Sequence, residues 1–110
     1  MMDNFYNQSV VCYYYSALQR MMYILAETAS NSIAYASQAR IEEDKHSWLC
    51  ERIKERIPNS QYRSQFADAF EQLRENRKLA DYGQKIFTKE ECLEMKELAT
   101  RTIEKLRYVR

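Results

Sequence analysis

A chain of 110 residues is long enough for one hydrophobic core and too short for two. One glycine, one proline and 30% charged residues suit long helices with short turns, and they exclude a β-rich fold, which needs many turn residues. The formal charge of +1 excludes a strong overall attraction to nucleic acid or to an anionic membrane. We therefore expect one all-α domain that covers residues 1–110.

The three cysteines, Cys12, Cys50 and Cys92, are not spaced for a metal site, and their odd number argues against a disulfide framework. The N-terminus lacks the basic and then apolar layout of a secretion signal. The longest strongly apolar stretch, residues 21–26, is far shorter than the roughly 20 residues that span a bilayer. These features predict a cytoplasmic protein with reduced, buried thiols, without a metal, a cofactor or a membrane contact.

The first helix is predicted from about residue 3 to residue 27, where apolar side chains recur at helical spacing over a wide face. The polar run at 28–32 predicts a loop, and residues 33–39 fit a short helical turn. A second helix is predicted over about residues 37–57 and is ended by Pro58. The residues of the first helix that are expected to face inward are Val10, Val11, Tyr14, Ala17, Leu18, Met21, Met22, Ile24 and Leu25.

The third predicted helix, over about residues 60–82, has the most regular apolar pattern in the chain. Arg77 lies on the stripe of this helix that is expected to face the core. Gly83 is the only glycine, and it stands where a residue of left-handed backbone commonly follows a helix. The third helix is therefore expected to end just before Gly83.

Thr88 and Glu91 have the spacing of a capping box, and Phe87 and Cys92 are placed as its hydrophobic staple. A fourth helix is predicted from there to near the C-terminus, with Lys105, Arg107 and Arg110 in its last turn, where basic residues suit the helix dipole. Together the four helices predict an antiparallel, up-and-down four-helix bundle.

Three stretches resemble segments of prokaryotic HEPN-domain proteins. Residues 12–27, CYYYSALQRMMYILAE, resemble the family helix that carries a Tyr-Tyr-Ala-type run, and residues 45–53, KHSWLCERI, resemble the Thr-His-Ser stretch of the next helix. Residues 73–83, LRENRKLADYG, followed by KEECLEMKELA, are similar to the Arg-x-x-Ala-Asp-Tyr segment and final helix of one subfamily. The amphipathic helix that usually precedes the Tyr-Tyr run is missing or shortened. The resemblance therefore implies a HEPN-like bundle with an apolar groove left for a partner or a second copy.

The catalytic members of that family are metal-independent ribonucleases that use an Arg followed, after four to six residues, by a His at a dimer interface. Arg77 matches this Arg, whereas Tyr82 stands in place of the His. A phenol with a pKa near 10 is a poor base at pH 7, so Tyr82 is expected to donate a hydrogen bond rather than to catalyse. Arg77 and Asp81, one helical turn apart, are expected to form an ion pair. The alternative is a nucleotide or RNA contact through Arg77, Asp81 and Tyr82.

Arg40 and His46 repeat the Arg-to-His spacing, and His46 is the only histidine in the chain. Three acidic residues at 42–44 would repel an RNA backbone, so His46 is expected to cap or pack at the start of its helix beside Trp48. The tyrosines at 13–15 are expected to be core and interface aromatics, because consecutive helical residues point about 100° apart and share no stacking platform.

Two functions follow from these patterns and remain open on the sequence. The first is a non-catalytic binding or assembly module of a prokaryotic toxin-antitoxin or anti-phage defence system. Such a module would form a homodimer or a hetero-oligomer, with a minimal nucleotidyltransferase as one candidate partner and RNA or a nucleotide as a candidate ligand. The second is a ribonuclease toxin in which Arg77 acts with Tyr82, or in which His46 is the base. The replacement of the family's His by Tyr82 favours the first.

Overall fold

The computed structural model describes residues 5–27, 33–34, 37–38 and 44–110. Within these ranges, α1, α3 and α4 pack against one another, and α2 packs on α1 and α3. The prediction of an all-helical four-helix bundle is therefore confirmed. The helices are α1 (Phe5–Glu27), α2 (Lys45–Glu55), α3 (Ser60–Asp81) and α4 (Lys89–Lys105), and a 3-10 turn over Leu106–Tyr108 follows them.

The predicted helix ends agree with the structure wherever the sequence carries a local stop or start signal. α1 ends at Glu27, as predicted, and α3 ends at Asp81, one residue before the predicted position. α2 begins at Lys45, with Asp44 as its N-cap. The predicted loop at 28–32 lies outside the described residues, as do residues 39–43 of the expected second helix. The prediction of one continuous helix from about residue 37 is wrong, because Asp44 is not helical and caps a helix that begins at Lys45.

One hydrophobic core joins all four helices, and its largest fully buried side chains include Tyr14, Phe66 and Phe70. The rings of Tyr14 and Phe70 stack with their centroids 5.6 Å apart, which ties α1 to α3. Burial of a large apolar side chain contributes about 1.5 to 3 kcal/mol, so this cluster is a main source of stability. Of the inward positions predicted for α1, those that are buried are Val10, Tyr14, Ala17, Leu18, Met21 and Leu25, and those that are half-buried at the edge are Val11, Met22 and Ile24.

A buried asparagine fixes the relative direction of three helices. Asn7 near the start of α1 donates to the carbonyl oxygen of Lys85 at 2.7 Å and accepts from the backbone N–H of Phe87 at 2.8 Å. It also approaches the carbonyl oxygen of Ala80 in the last turn of α3, at 3.4 Å. The start of α1, the end of α3 and the start of α4 therefore lie at one end of the bundle. α3 therefore runs antiparallel to α1 and to α4, and α1 and α4 run in the same direction. The predicted up-and-down order is wrong in this respect, because it would make the first and fourth helices antiparallel.

The chain turns back along α1 after that helix ends. The backbone N–H of Ile33 donates to the carbonyl oxygen of Leu25 at 2.7 Å. Further along, the side chain of the buried Gln38 donates to the carbonyl oxygen of Met22 at 3.0 Å. His46 then contacts Tyr14, near the middle of α1. The contacts with residues 25, 22 and 14 of α1 therefore place the start of α2 beside the middle of α1.

The connection from α3 to α4 has the geometry that its sequence predicts. Gly83 has a φ of +67°, and the N–H of Gln84 donates to the carbonyl oxygen of Leu79 at 2.9 Å. Thr88 and Glu91 form both hydrogen bonds of the capping box. The predictions of a left-handed helix end and of a capped helix start are confirmed.

Of the three thiols predicted to be buried, Cys50 and Cys92 are buried, but Cys12 is exposed. The prediction is wrong for Cys12 because positions 10 and 14, which face the core, are each two residues away, and two helical residues turn the side chain by about 200°. No helix among the described residues has the length and apolar character needed to cross a membrane.

We expect Gly83→Val to lower the free energy of unfolding by about 1 to 2 kcal/mol, through the backbone strain of a β-branched residue at positive φ. A Cβ at this position would meet no atom within 4 Å, so the cost is conformational and not a clash. Urea unfolding measures this loss in the free energy of unfolding. The control is Gln84→Val, which places the same side chain at the next exposed position, outside the positive-φ region. Equal stability of the two variants would contradict this account of the helix end.

Candidate functional site

Arg77 lies in the penultimate turn of α3 and is buried, with 8% of its surface exposed. Its Nη1 donates to a carboxylate oxygen of Asp81 at 3.1 Å, which confirms the predicted ion pair. The guanidinium carbon lies 5.0 Å from the ring centroid of Tyr14 and 5.6 Å from that of Tyr15. The charge is therefore held between one carboxylate of its own helix and two aromatic rings of α1. Its Nε is buried and has no hydrogen-bond partner among the described residues.

His46 is the second residue of α2 and packs against α1, as expected of a histidine at the start of its helix. The hydroxyl of Tyr14 and Nδ1 of His46 are 2.6 Å apart. Burial raises the pKa of Tyr14 to about 12, although the charges of Arg74 and Arg77 act in the opposite direction. Tyr14 therefore keeps its proton at pH 7. We assign its hydroxyl as the donor to Nδ1, because the guanidinium of Arg77 can only donate and already makes a hydrogen bond to the Tyr14 oxygen. This assignment leaves the hydrogen of neutral His46 on Nε2.

The pKa of His46 lies below its ordinary value, first because the ring is partly buried and then because Arg77 and Arg74 are positively charged. The carboxylate of Asp44 acts in the opposite direction and raises the pKa of His46. His46 is consequently neutral at pH 7. In this state the imidazole presents a hydrogen-bond donor and no free basic nitrogen.

A second arginine of α3 contacts the start of α2. Arg74 pairs with the carboxylate of Asp44, and its Nη1 donates to Oγ of Ser47 at 2.8 Å. Asp44 is also the N-cap of α2 and accepts from the backbone N–H groups of His46 and Ser47. The hydrogen bond from Arg74 is the largest cause of a pKa of Asp44 well below its usual range. One carboxylate thus caps α2, compensates Arg74 and holds His46 in position.

The structure brings together three of the four predicted site residues. Arg77, Asp81 and His46 belong to one cluster, which we call the Arg77 cluster and which also contains Tyr14, Tyr15, Arg74, Asp44 and Ser47. Tyr82 does not take part in it within the described residues. Its side chain is 69% exposed, and its residue forms the C-cap of α3. Arg40 lies outside the described residues.

The three consecutive tyrosines at 13–15 differ in burial, because neighbouring residues of a helix point in different directions. Tyr14 is buried, Tyr13 is half-buried, and Tyr15 is exposed while its ring still contacts that of His46 edge-on, with centroids 6.2 Å apart. The three rings form no common platform. Among the described residues, no group of His, Cys, Asp and Glu side chains could hold a metal ion.

Five members of the Arg77 cluster were not placed in a site by the sequence analysis, namely Tyr14, Tyr15, Asp44, Ser47 and Arg74. Arg74 and Asp44 are 30 residues apart, and Tyr14 and His46 are 32 apart, so no local spacing reveals either contact. Asp44 alone had a usable signal in the sequence, since aspartate is a preferred N-cap residue at the start of a helix. Chemically, the cluster offers hydrogen-bond donors and compensated positive charge.

No family model matches the chain, and neither a curated protein nor a solved structure matches it significantly. The contacts described above are therefore the basis for assigning a function, together with the resemblance of the three sequence segments.

We expect the free energy of unfolding to fall as the pH drops from 7 to 5, and His46→Gln to reduce this loss. The pKa of His46 is lower in the folded chain than the value near 6.5 expected after unfolding, so in this window the unfolded chain binds the proton more tightly. The stability is thus fully present above pH 6.5 and is lost as the pH falls. Solvent screening limits the effect to less than about 1 kcal/mol.

Urea titrations at pH 7.5, 6 and 5 measure this difference. The chain has one histidine, so no other imidazole contributes to the slope. Asp44→Asn is the companion variant: it removes the carboxylate that raises the pKa of His46, so the loss of stability between pH 7 and 5 should become steeper. Identical slopes for the wild type and His46→Gln would contradict the lowered pKa of His46.

Proposed function

We propose that the chain is a non-catalytic binding and assembly module with a HEPN-like fold. The observation that supports this most directly is the state of the Arg77 cluster. Arg77 is paired with Asp81, Arg74 is paired with Asp44, and Nδ1 of His46 accepts from Tyr14. Every group that could act as a base or as a free cation is already engaged within the chain.

The protonation states support the same proposal. A general base must present an unprotonated atom within reach of the substrate's proton. Tyr82 lies on the surface outside the cluster, and neutral His46, as assigned above, carries its hydrogen on Nε2, away from its bond with Tyr14. The cluster can therefore donate hydrogen bonds to an oxygen of a partner or ligand, but its resting geometry is not that of an acid and base pair.

Unused donors give the cluster a capacity for binding. The Nε atoms of Arg74 and Arg77 are buried and have no acceptor among the described residues. Both atoms lie below the surface, so an oxygen of a partner reaches them only if the cluster opens. An unmade hydrogen bond of a buried donor costs about 1 to 3 kcal/mol, and making it would offset part of the cost of opening. Tyr15 borders the cluster and is exposed, which supplies an aromatic contact of the kind enriched in protein interfaces.

The cellular role that we propose rests on the resemblance of the sequence to HEPN-domain proteins. In that family, small helical domains assemble with a second copy or with another subunit. We therefore propose a homodimer, or a hetero-oligomer with a minimal nucleotidyltransferase, within a prokaryotic toxin-antitoxin or anti-phage system. Three exposed large side chains of α1 are available for such a contact, namely Phe5, Tyr15 and Tyr23.

A metal-independent ribonuclease is the second candidate, and one observation favours it. Arg77 and His46, which are 31 positions apart, both contact Tyr14 and Tyr15. An Arg and a His in one cluster are the residue types that the family uses for cleavage. If the Tyr14 hydroxyl turned to accept from Nδ1, Nε2 of His46 would become basic and could take a proton from a ribose hydroxyl.

The assembly proposal predicts that the protein is not a monomer and that Arg77→Lys weakens its association with only a modest loss of stability. Lysine keeps the positive charge. It lacks the planar guanidinium, including Nε, whose Nη1 binds Asp81 in the wild type. Multi-angle light scattering and thermal melting measure the two properties. Arg101→Lys is the matched control, because Arg101 makes the same i,i+4 pair with Glu97 at an exposed position, and it should change neither.

A double-mutant cycle with Asp81→Asn shows whether the two residues act as a unit. A coupling energy near zero in both melting and association would contradict the proposed role of the pair. A monodisperse monomer at high concentration that binds no hydrophobic dye would contradict assembly as a whole.

The two candidate functions differ in what His46→Ala should do. If the module is non-catalytic, purified wild-type protein leaves total RNA intact and its expression is not toxic, and His46→Ala changes neither result. RNA cleavage by the wild type that disappears in a folded His46→Ala protein, but survives in Tyr82→Phe, would instead establish the ribonuclease with His46 as its base.

A further inference from the structure

An open groove runs along the surface between α3 and α4. Two adjoining cavities of about 460 and 220 Å³ form it, and they are continuous because Gln72, Leu98 and Arg101 line both. Its lining residues in the described part of the chain all belong to α3 or α4. Along α4 the groove extends from Glu94 to Lys105, which corresponds to about 16 Å of helix. We call it the α3–α4 groove.

The floor of the α3–α4 groove is apolar. Ala69 of α3 and Met95 and Leu98 of α4 form this floor, and all three also belong to the hydrophobic core. Because Ala69 is small, a partner can approach the backbone of α3 closely at that position. The floor therefore offers the kind of surface on which another helix packs.

The rims of the groove carry negative charge that the fold does not compensate. Asp68 on α3 and Glu94 and Glu104 on α4 are exposed. None of these three carboxylates forms an ion pair in the described part of the chain. They contrast with Asp44 and Asp81, which are each paired with an arginine.

The two cations that line the groove are already engaged elsewhere. Arg101 pairs with Glu97 of its own helix at 2.9 Å. Nζ of Lys105 lies 4.8 Å from the ring centroid of Tyr62, at one end of the groove. The unpaired carboxylates therefore give the rims a negative character.

α2 shows what kind of structure fits on this bundle. It is a helix of 11 residues that packs on α1 and α3 and buries Leu49, Cys50 and Ile53. Its length, about 16 Å, equals that of the α3–α4 groove. No helix other than α3 and α4 lines that groove within the described residues. A second short helix, about as long as α2, would therefore match its length and its apolar floor.

We infer that the α3–α4 groove binds a short, basic amphipathic helix of a partner protein. Small and aliphatic side chains on one face of that helix pack on the floor, and lysines or arginines along its edges pair with Asp68, Glu94 and Glu104. Charge complementarity sets the sign of the partner, because the same carboxylates repel an acidic helix or an RNA backbone. The groove lies apart from the Arg77 cluster and from the exposed side chains of α1, so this contact is additional to the proposed assembly.

The test is an NMR titration of the whole chain with a synthetic helical peptide of the same length as α2. The peptide has leucine and alanine on one face and lysines along both edges. We expect the backbone amides of Asp68, Gln72, Leu98 and Arg101 to shift, with a dissociation constant below about 100 µM. The same peptide with glutamate in place of each lysine should bind at least about tenfold more weakly.

Charge reversals on the rims test the proposed contacts one at a time. Asp68→Lys and, separately, Glu104→Lys should each weaken binding of the lysine peptide about fivefold or more. Glu71→Lys is the matched control, because it makes the same charge change at an exposed position of α3 that does not line the groove. Its affinity should stay within about twofold of the wild type. All three positions are exposed, and the NMR spectrum of each variant shows whether it is folded.

Three results would overturn the inference. The first is the absence of shifts at these amides with about 1 mM peptide. The second is an equal loss of affinity in Glu71→Lys and Asp68→Lys, or equal binding of the lysine and glutamate peptides, because neither fits a specific charged rim. The third is a set of shifts confined to α1 or to the Arg77 cluster, which would place the peptide elsewhere.

Light scattering distinguishes a foreign helix from a second copy of the chain. We expect Asp68→Lys to leave the molar mass of the protein unchanged. A lower molar mass in Asp68→Lys would show that a second copy occupies the groove and would refute the inference. Arg77→Lys should leave the affinity for the peptide unchanged, so failure of this inference can be told apart from failure of the assembly proposal.

Discussion

The burial of the Arg77 guanidinium is the constraint on which the part of the bundle around the Arg77 cluster depends. A charge removed from water costs several kcal/mol unless it is paired, and its loss of one partner is strongly destabilising. Asp81 supplies the ion pair, and Tyr14 and Tyr15 supply aromatic rings at 5.0 and 5.6 Å. α1 and α3 must therefore keep a fixed register at this level. The Tyr14 ring that receives the cation also stacks on Phe70, which links the charged cluster to the core.

The same charge determines what His46 can do. Because Arg77 and Arg74 both lie near the imidazole, they add to the effect of burial and lower its pKa, so the ring is neutral at pH 7. A neutral ring can accept the proton that Tyr14 donates, and this hydrogen bond would be lost if His46 became charged. The positive cluster thus stabilises a structural bond of the histidine at the expense of its basicity, which is the physical reason for preferring a binding role.

Most of the fold could be predicted from the sequence, because its signals are local. The wide apolar face of α1, the positive-φ glycine at 83 and the capping box at 88–91 each depend on residues within a few positions of one another. The site could be predicted only in part. The Arg77 to Asp81 pair follows from helical spacing, whereas the bonds of Asn7 to residues 80–87 and of Tyr14 to His46 join distant segments. Such contacts depend on how the helices pack, and one sequence carries no pattern for that.

Arg77 and Arg107 show why a conspicuous arginine in the sequence need not be a residue that binds a ligand. Arg77 was the more conspicuous candidate because it interrupts an apolar stripe, yet a cation on a buried stripe must be compensated within the fold, as Asp81 compensates it. Arg107 lies beyond the regular part of α4 on an exposed turn, where water solvates the guanidinium and folding requires no carboxylate. An arginine of the second kind can bind an external anion without first breaking an internal pair.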